Sequence, residues 1–348
     1  MMTGMQRFQA VMSGKRPDRV PVQCNLLDQG ARELGMGIKE YYRRGEHVAE
    51  GQLRMREKYG YDSVLGLFYV AMEAEMLGCR SIIYAEDGPP NVGQLVISQP
   101  GDIERLTIPM DFNELPRFRE LAVCIRILKQ KAEGRFPVVG VVTGSFSLPA
   151  LLMGISAWME LFLCGPNELC SLLLEKCALF CRRQILALRE AGADLVIYTN
   201  SVGTASFITL PQFITLALPA INRDLDGLVT SDIVYFNGGG RINSQLKTLM
   251  EQTPLRAYYI NPFDDIAEAG AILAGQALLV GAINDIRLMD WSREEIDGQV
   301  RRIMEQGKRL GGFVFATLMM PYAIPEENIR TMLEAAFRHG AYAGQDES

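Results

Sequence analysis

"IVYFNGGGRI", Ile233–Ile242, is an apolar run that stops at Asn237 and turns through three glycines into an arginine. A short run apolar on both faces and ended by glycine predicts a parallel strand buried between two layers, with a tight turn at its C-terminal end. Starting one residue earlier, it reads "DIVYFN" (232–237). Seven other runs have the same character: "VPVQCN" (20–25), "SVLGLFY" (63–69), "FPVVGVVT" (136–143), "DLVIYTN" (194–200), "RAYYIN" (256–261), "ALLVGAIN" (277–284) and "GFVFAT" (312–317).

The stretches between them carry helical periodicity. In "LPRFRELAVCIRILKQKAEG", Phe118, Leu121, Ile125 and Leu128 fall on one stripe before Gly134. A long helix opens at Pro166 and closes at Gly192. "SREEIDGQVRRIMEQGKRLGG" has Ser292 with Glu295 three residues on, a capping box, and a last helix runs from Pro325 to Gly340. Eight β-then-α units predict an α/β fold, a (β/α)₈ TIM barrel, as a single domain over 1–348. The segment 79–106 breaks the alternation with two short β-like runs around Gly88-Pro89-Pro90, and predicts a hairpin inserted after the second strand.

Hydrophobic residues at 48% and charged residues at 22% supply a large core and exclude disorder. A net charge of −6 argues against a nucleic-acid or anionic-membrane surface, which needs clustered Lys and Arg. No apolar run approaches the roughly 20 residues of a membrane span. The charged N-terminal stretch does not resemble a signal peptide, so the expected location is the cytoplasm. Seven scattered cysteines without Cys-x-x-Cys agree with a reducing compartment. Cys170, Cys177 and Cys181 share a helix face that also carries Leu173 and Leu188, where packing outweighs metal binding.

A barrel of this kind places its chemistry at the C-terminal ends of the strands. Here those ends are Gln23 and Asn25, Tyr69, Thr143, Tyr198 and Asn200, Asn237, Asn261, Asn284 and Thr317, a set rich in neutral polar groups. The glycine turn matches neither a P-loop nor a dinucleotide fingerprint. Its backbone N–H groups and Arg241 offer an anion site, or the glycines serve only to turn the chain. Of two histidines, His47 and His339, neither lies near a strand end, and no set of zinc ligands converges.

Taken in order, "RPDRVPV" (16–22), "AMEAEMLGC…EDGPPNVG" (71–93), "VVTGSFSLPALLMG" (141–154), "ALREAGADLVIY" (187–198), "ALLVGAIND" (277–285) and "IPEENIRTMLEAA" (324–336) resemble the uroporphyrinogen decarboxylase superfamily. The resemblance is to its cobalamin-dependent methyltransferase branch, which includes methylcobalamin:coenzyme M methyltransferases. It implies a (β/α)₈ barrel working on a corrinoid carried by a separate protein. Thiol-methylating members hold zinc through His-x-Cys at the end of the fifth strand and a Cys after the eighth. The matching positions here are Tyr235, Asn237 and Tyr322, so zinc is not expected. Without zinc a thiol with a pKa of about 8.5 stays mostly protonated at neutral pH, which argues against thiol methylation. Uroporphyrinogen decarboxylases grip their substrate's carboxylates with an arginine-rich first loop; "CNLLDQGAREL" offers only Arg32.

The resemblance and these departures lead to a zinc-independent methyltransferase moving a methyl group between cobalamin and a small methylated amine, ether or pterin. Tyr235, Asn237, Tyr322 and Glu75 are the candidate catalytic residues. Gln23, Asn25, Tyr69, Glu73, Thr143, Tyr198, Asn200 and Asn284 are the candidates for binding substrate. An aromatic cage of Tyr69, Tyr198, Tyr235, Phe236 and Tyr322 would hold a quaternary amine, and a tyrosine hydroxyl would assist an ether oxygen. Aromatic side chains that merely fill the mouth are the plain alternative. Glu73 and Glu75 cannot share one helix face, so one is expected to face the pocket and the other to cap a helix. A decarboxylase-like lyase and a non-catalytic corrinoid- or partner-binding barrel are the rival readings. The partners expected are the corrinoid protein and the small substrate, with no nucleic acid and no membrane, and a homodimer stays open.

Overall fold

Eight parallel strands form the barrel, and each expected run supplies one. They are β1 (Val22–Asn25), β2 (Val64–Leu65), β5 (Val138–Thr143), β6 (Leu195–Thr199), β7 (Ile233–Phe236), β8 (Ala257–Tyr259), β9 (Leu278–Ile283) and β10 (Phe313–Met319). The computed structural model describes residues 1–342; residues 343–348, the end of the expected 1–348 domain, lie outside it. The strands lie in the order β1-β10-β9-β8-β7-β6-β5-β2. The ring comes together between β1 and β2, where the N–H of Asp62 donates to the Val22 carbonyl at 2.8 Å. Helices follow the strands and cover the ring, which is the (β/α)₈ barrel.

β3 (Ile82–Ile83) and β4 (Asn91–Val92) pair antiparallel around the Gly-Pro-Pro turn, within the expected insertion. The second strand is shorter than the run 63–69 that predicted it: only Val64 and Leu65 pair, with β5. Beyond them the chain leaves the sheet and enters the short helix Met72–Met76.

The helix boundaries follow their local chemistry. Asn167–Ala191 starts after Pro166 and stops at Gly192, whose φ of 112° only glycine adopts without strain. Arg293–Gly307 carries the expected capping box, the Ser292 hydroxyl accepting from Glu295 N. Cys177 and Cys181 are fully buried against the sheet, as packing residues are.

The N-terminal face of the barrel is clamped by one carboxylate. Asp62, buried at the seam, accepts from Val22 N at 2.8 Å, Arg7 at 2.9 Å and Arg19 at 2.6 Å. The clamp ties the first helix and the entry to β1 onto the start of β2.

Strand register decides which side chains reach the barrel interior. Thr143, Thr199, Phe236 and Tyr259 occupy one row across β5 to β8, and Tyr198, Tyr235 and Tyr258 occupy the next. Side chains alternate along a strand, so the two rows face opposite ways. Tyr259 bonds the Thr317 carbonyl and Asn25 across the barrel, which marks its row as the inner one. Tyr198 bonds Asp224 on the covering helix Leu218–Leu225, which marks the other as the outer.

Candidate active site

A cavity of about 860 Å³ opens at the C-terminal ends of the strands. Its walls come from the inner row (Thr143, Thr199, Phe236), from Phe68 and Val70 after β2, and from Leu318 and Met319 at the end of β10. Asn91, Val92 and Leu95 reach it from the inserted hairpin region. Hydroxyls of Ser147, Ser201, Thr204 and Ser206 and the backbone of Gly238–Gly240 complete the polar part. Asp285 is the one ionisable lining side chain among the described residues; the lining holds no Lys, Arg or His.

The glycine turn is explained by packing. Gly238 and Gly239 have φ of 64° and 87°, and a Cβ on Gly238 would collide with Ser201. A Cβ on Gly240 would come within 2.9 Å of Thr204. The turn therefore presses its backbone onto the loop after β6. Asn237 donates to the Gly240 carbonyl and Asn261 to that of Gly239, which fixes the turn's shape. Arg241 lies 5.9 Å from the Phe263 ring and is not among the lining residues.

Most residues expected at the mouth lie elsewhere. Of the twelve, Thr143 lines the cavity; of the expected aromatic cage, only Phe236 does. Tyr235 is fully buried in the outer row, its hydroxyl accepting from Asn200 at 3.1 Å. Asn200 in turn accepts from the Ser147 hydroxyl at 2.8 Å. Asn237 is spent on the glycine turn. Tyr322 sits under Arg32, which stacks 5.5 Å from its ring and donates to its carbonyl at 3.3 Å. None of Tyr235, Asn237 and Tyr322 lines the mouth cavity, so the expectation that these three carry its catalysis is corrected.

Gln23 and Asn25 do face the barrel interior but are consumed there: Gln23 donates to Asn25, and Asn25 donates to the Tyr259 hydroxyl and the Thr317 carbonyl. Tyr69 donates to Glu75, which also pairs with Arg117 at 3.4 Å. Asn284 lines a separate cavity of about 650 Å³ beside Trp291 and Arg302.

Glu73 neither lines the mouth cavity nor caps a helix. It is buried behind β5, where one carboxylate oxygen accepts from Thr143 N at 2.7 Å and the other has no partner. Asp224 does the same two residues on, accepting from Ser145 N at 2.7 Å and from Tyr198. Burial raises Glu73 to about 7 and Asp224 to about 6. Two buried acids thus grip from behind the loop whose Thr143 and Ser147 face the cavity.

Asp285 is the site residue that strand-end reading passed over in favour of its neighbour Asn284. It is 5% exposed, and burial raises it to about 6. A signal was available: it is the one acid within two residues of a barrel strand's C-terminal end. Among the described residues no three His, Cys, Asp or Glu side chains converge as metal ligands.

The family model for uroporphyrinogen decarboxylase (URO-D) matches residues 3–339. The chain belongs to this family. Within it, the chain is 22% identical over 342 residues to the methylcobamide:CoM methyltransferase MtbA of Methanosarcina mazei, covering 96% of this chain and 97% of that one. It is 24% identical over 349 residues to a uroporphyrinogen decarboxylase of Pelobacter propionicus, covering 95% and 98%. A solved methyltransferase from Methanosarcina mazei superposes with a TM-score of 0.84 at 19% identity, over 97% of this chain and 99% of the other. The family's barrel is thus present from end to end, and relatives of both chemistries stand at similar distance.

Proposed function

We propose that this barrel is the methyltransferase component of a corrinoid-dependent system, transferring a methyl group between a small substrate in the mouth cavity and a corrinoid brought by a separate protein. The observation that carries the reading is the lining of that cavity: apolar walls, hydroxyls and one carboxylate, with no cationic side chain. A porphyrinogen bearing many carboxylates needs guanidinium or ammonium partners, and Arg32 is engaged with Tyr322. A small methylated molecule needs none. The methylcobamide-dependent relatives point the same way.

The rim supports a large apolar visitor. Val70, Leu95, Ile155, Phe207 and Ile286 line the cavity and are exposed at 37%, 42%, 47%, 39% and 61%. Clustered apolar side chains left in water mark a surface that something covers, and the apolar face of a corrin ring held by another protein fits it. The corrinoid supplies the metal that gives or takes the methyl group. This chain's part is to seat the small substrate against Phe236 and the glycine turn, to exclude water, and to leave the methyl group facing the rim.

The reading takes transfer to proceed without a zinc-bound thiolate, since the resemblance puts Tyr235, Asn237 and Tyr322 where thiol-methylating relatives would hold zinc. It also takes the enzyme to be cytoplasmic, with all seven cysteines free.

The test is direct. The purified protein is incubated with free methylcobalamin and a panel of demethylated amine, alcohol and pterin acceptors, or with reduced cobalamin and the methylated amines, ethers and pterins, and the visible spectrum is followed. Methyl transfer changes the spectrum. Silence across the panel, with carbon dioxide released from uroporphyrinogen instead, would replace this reading with the lyase. Metal analysis checks the zinc statement separately, one tightly held zinc per chain being the adverse result.

A further inference from the structure

We infer that the mouth cavity recognises a methylated ammonium group, with the Asp285 carboxylate as its counter-ion and phenyl rings as its walls. This rests on the methyl-transfer reading for what becomes of the methyl group, but the recognition itself rests on the cavity. Asp285 is more than nine-tenths buried and lines that cavity. The N–H groups of its own turn, at Asp285 and Ile286, favour its charged form. A buried carboxylate without a cation is costly, and proteins pair such groups. Among the described residues no cationic side chain pairs with it or lines the cavity, which leaves room for a ligand to bring one.

The walls suit the same ligand. Phe68, Phe207 and Phe236 line the cavity, and ring faces attract an alkylated cation that has no N–H to donate. The other substrate classes fit less well. A methyl ether presents only lone pairs and meets repulsion at a carboxylate. A pterin edge needs donors and acceptors side by side; Asn200 and Asn237 are not in the lining, and Asn91, the carboxamide that is, has its oxygen already taken by Val92 N. Asp285 is raised only to about 6, so it is mainly ionised at neutral pH.

The chemistry balances without an acid. When a reduced corrinoid takes the methyl group, the carbon–nitrogen bond breaks and the carbon–metal bond forms. The bonding pair stays on nitrogen, so the amine leaves neutral and no proton is required.

The test compares choline with its neutral isostere 3,3-dimethylbutan-1-ol by titration calorimetry against the full chain and Asp285→Asn. Choline is expected to bind about tenfold or more tightly than the isostere to the native protein. Asp285→Asn is expected to lose that preference while still binding the isostere and keeping its circular dichroism spectrum. Equal affinities, no binding of choline, or a preference that survives in Asp285→Asn would overturn the inference. The cobalamin assay separates it from the reading above. Choline bound without any spectral change with any donor removes methyl transfer and leaves recognition standing. Transfer from a neutral ether, undiminished in Asp285→Asn, does the reverse.

Discussion

Tyr198 donates its hydroxyl to Asp224 at 2.6 Å on the helix side of the sheet, and Asp224 passes that anchorage to the backbone of Ser145. A tyrosine at the end of a barrel strand, where substrate contacts are expected, is thus part of the framework behind the site. Tyr198→Phe removes one donor from a buried carboxylate, a loss of about 1–3 kcal/mol. Urea unfolding is expected to show that loss, with ligand affinity at the mouth nearly unchanged. A large fall in affinity without a fall in stability would place Tyr198 in the site after all.

Glu73 gives a pH dependence whose sign is set by its raised value. Its carboxyl moves from 4.5 when unfolded to about 7 when buried, so the native state binds the proton more tightly. The stability this confers is complete below the unfolded value and is lost as pH rises through about 7. Glu73→Gln keeps the acceptor for Thr143 N and cannot ionise. Its unfolding free energy is therefore expected to pull ahead of the native protein's between pH 5 and pH 8, by up to about 3 kcal/mol at the upper end, as read by urea titration at each pH. Asp224, raised to about 6, leaves a smaller drift of the same sign in both proteins. A gap that shrinks with rising pH would contradict this assignment.

At the other face of the barrel, Asp62→Ala takes a carboxylate from two arginines. Arg7, 6% exposed, loses one of its two carboxylates, Arg19 loses its partner, and the β1 entry loses an acceptor. Breaking a buried pair from one side costs about 3–5 kcal/mol. Denaturant titration checks this, and an effect below about 1 kcal/mol would mean that the clamp is ornamental to stability.

Gly238→Ala combines a positive φ with a collision against Ser201. The backbone penalty alone is about 1–2 kcal/mol. Because the turn lines the cavity, choline binding is expected to fall along with the melting temperature. Tyr235→Phe, three residues away in the outer row, serves as the contrast: it removes only the acceptor for Asn200 and should leave binding close to native.

The barrel was legible because buried parallel strands announce themselves as apolar runs, and all eight runs became strands. What those runs conceal is parity. With both faces of a strand apolar, nothing in "DLVIYTN" or "IVYFNGGG" says whether Tyr198 and Tyr235 or Thr199 and Phe236 point inward. On β6 and β7 the choice of strand-end residues therefore fell on the outer row, whereas Thr143 on β5 and Gln23 and Asn25 on β1 lie on the inner side. A pair of partners in three dimensions, Tyr198 with Asp224 against Tyr259 with Thr317, settles what spacing cannot. Asp285 escaped for a simpler reason: it lies two residues beyond its strand, where the turn and not the pleat aims the side chain.

The stretch Gly238–Gly240 shows the cavity peptide rather than side chain, and no other amino acid can take the place of Gly238 without deforming the turn. That portion of the wall is consequently closed to engineering. An attempt to retarget the barrel to new molecules would have to be written into the hairpin region that contributes Asn91, Val92 and Leu95, where a change of residue alters the shape of the pocket without disturbing the strands beneath it.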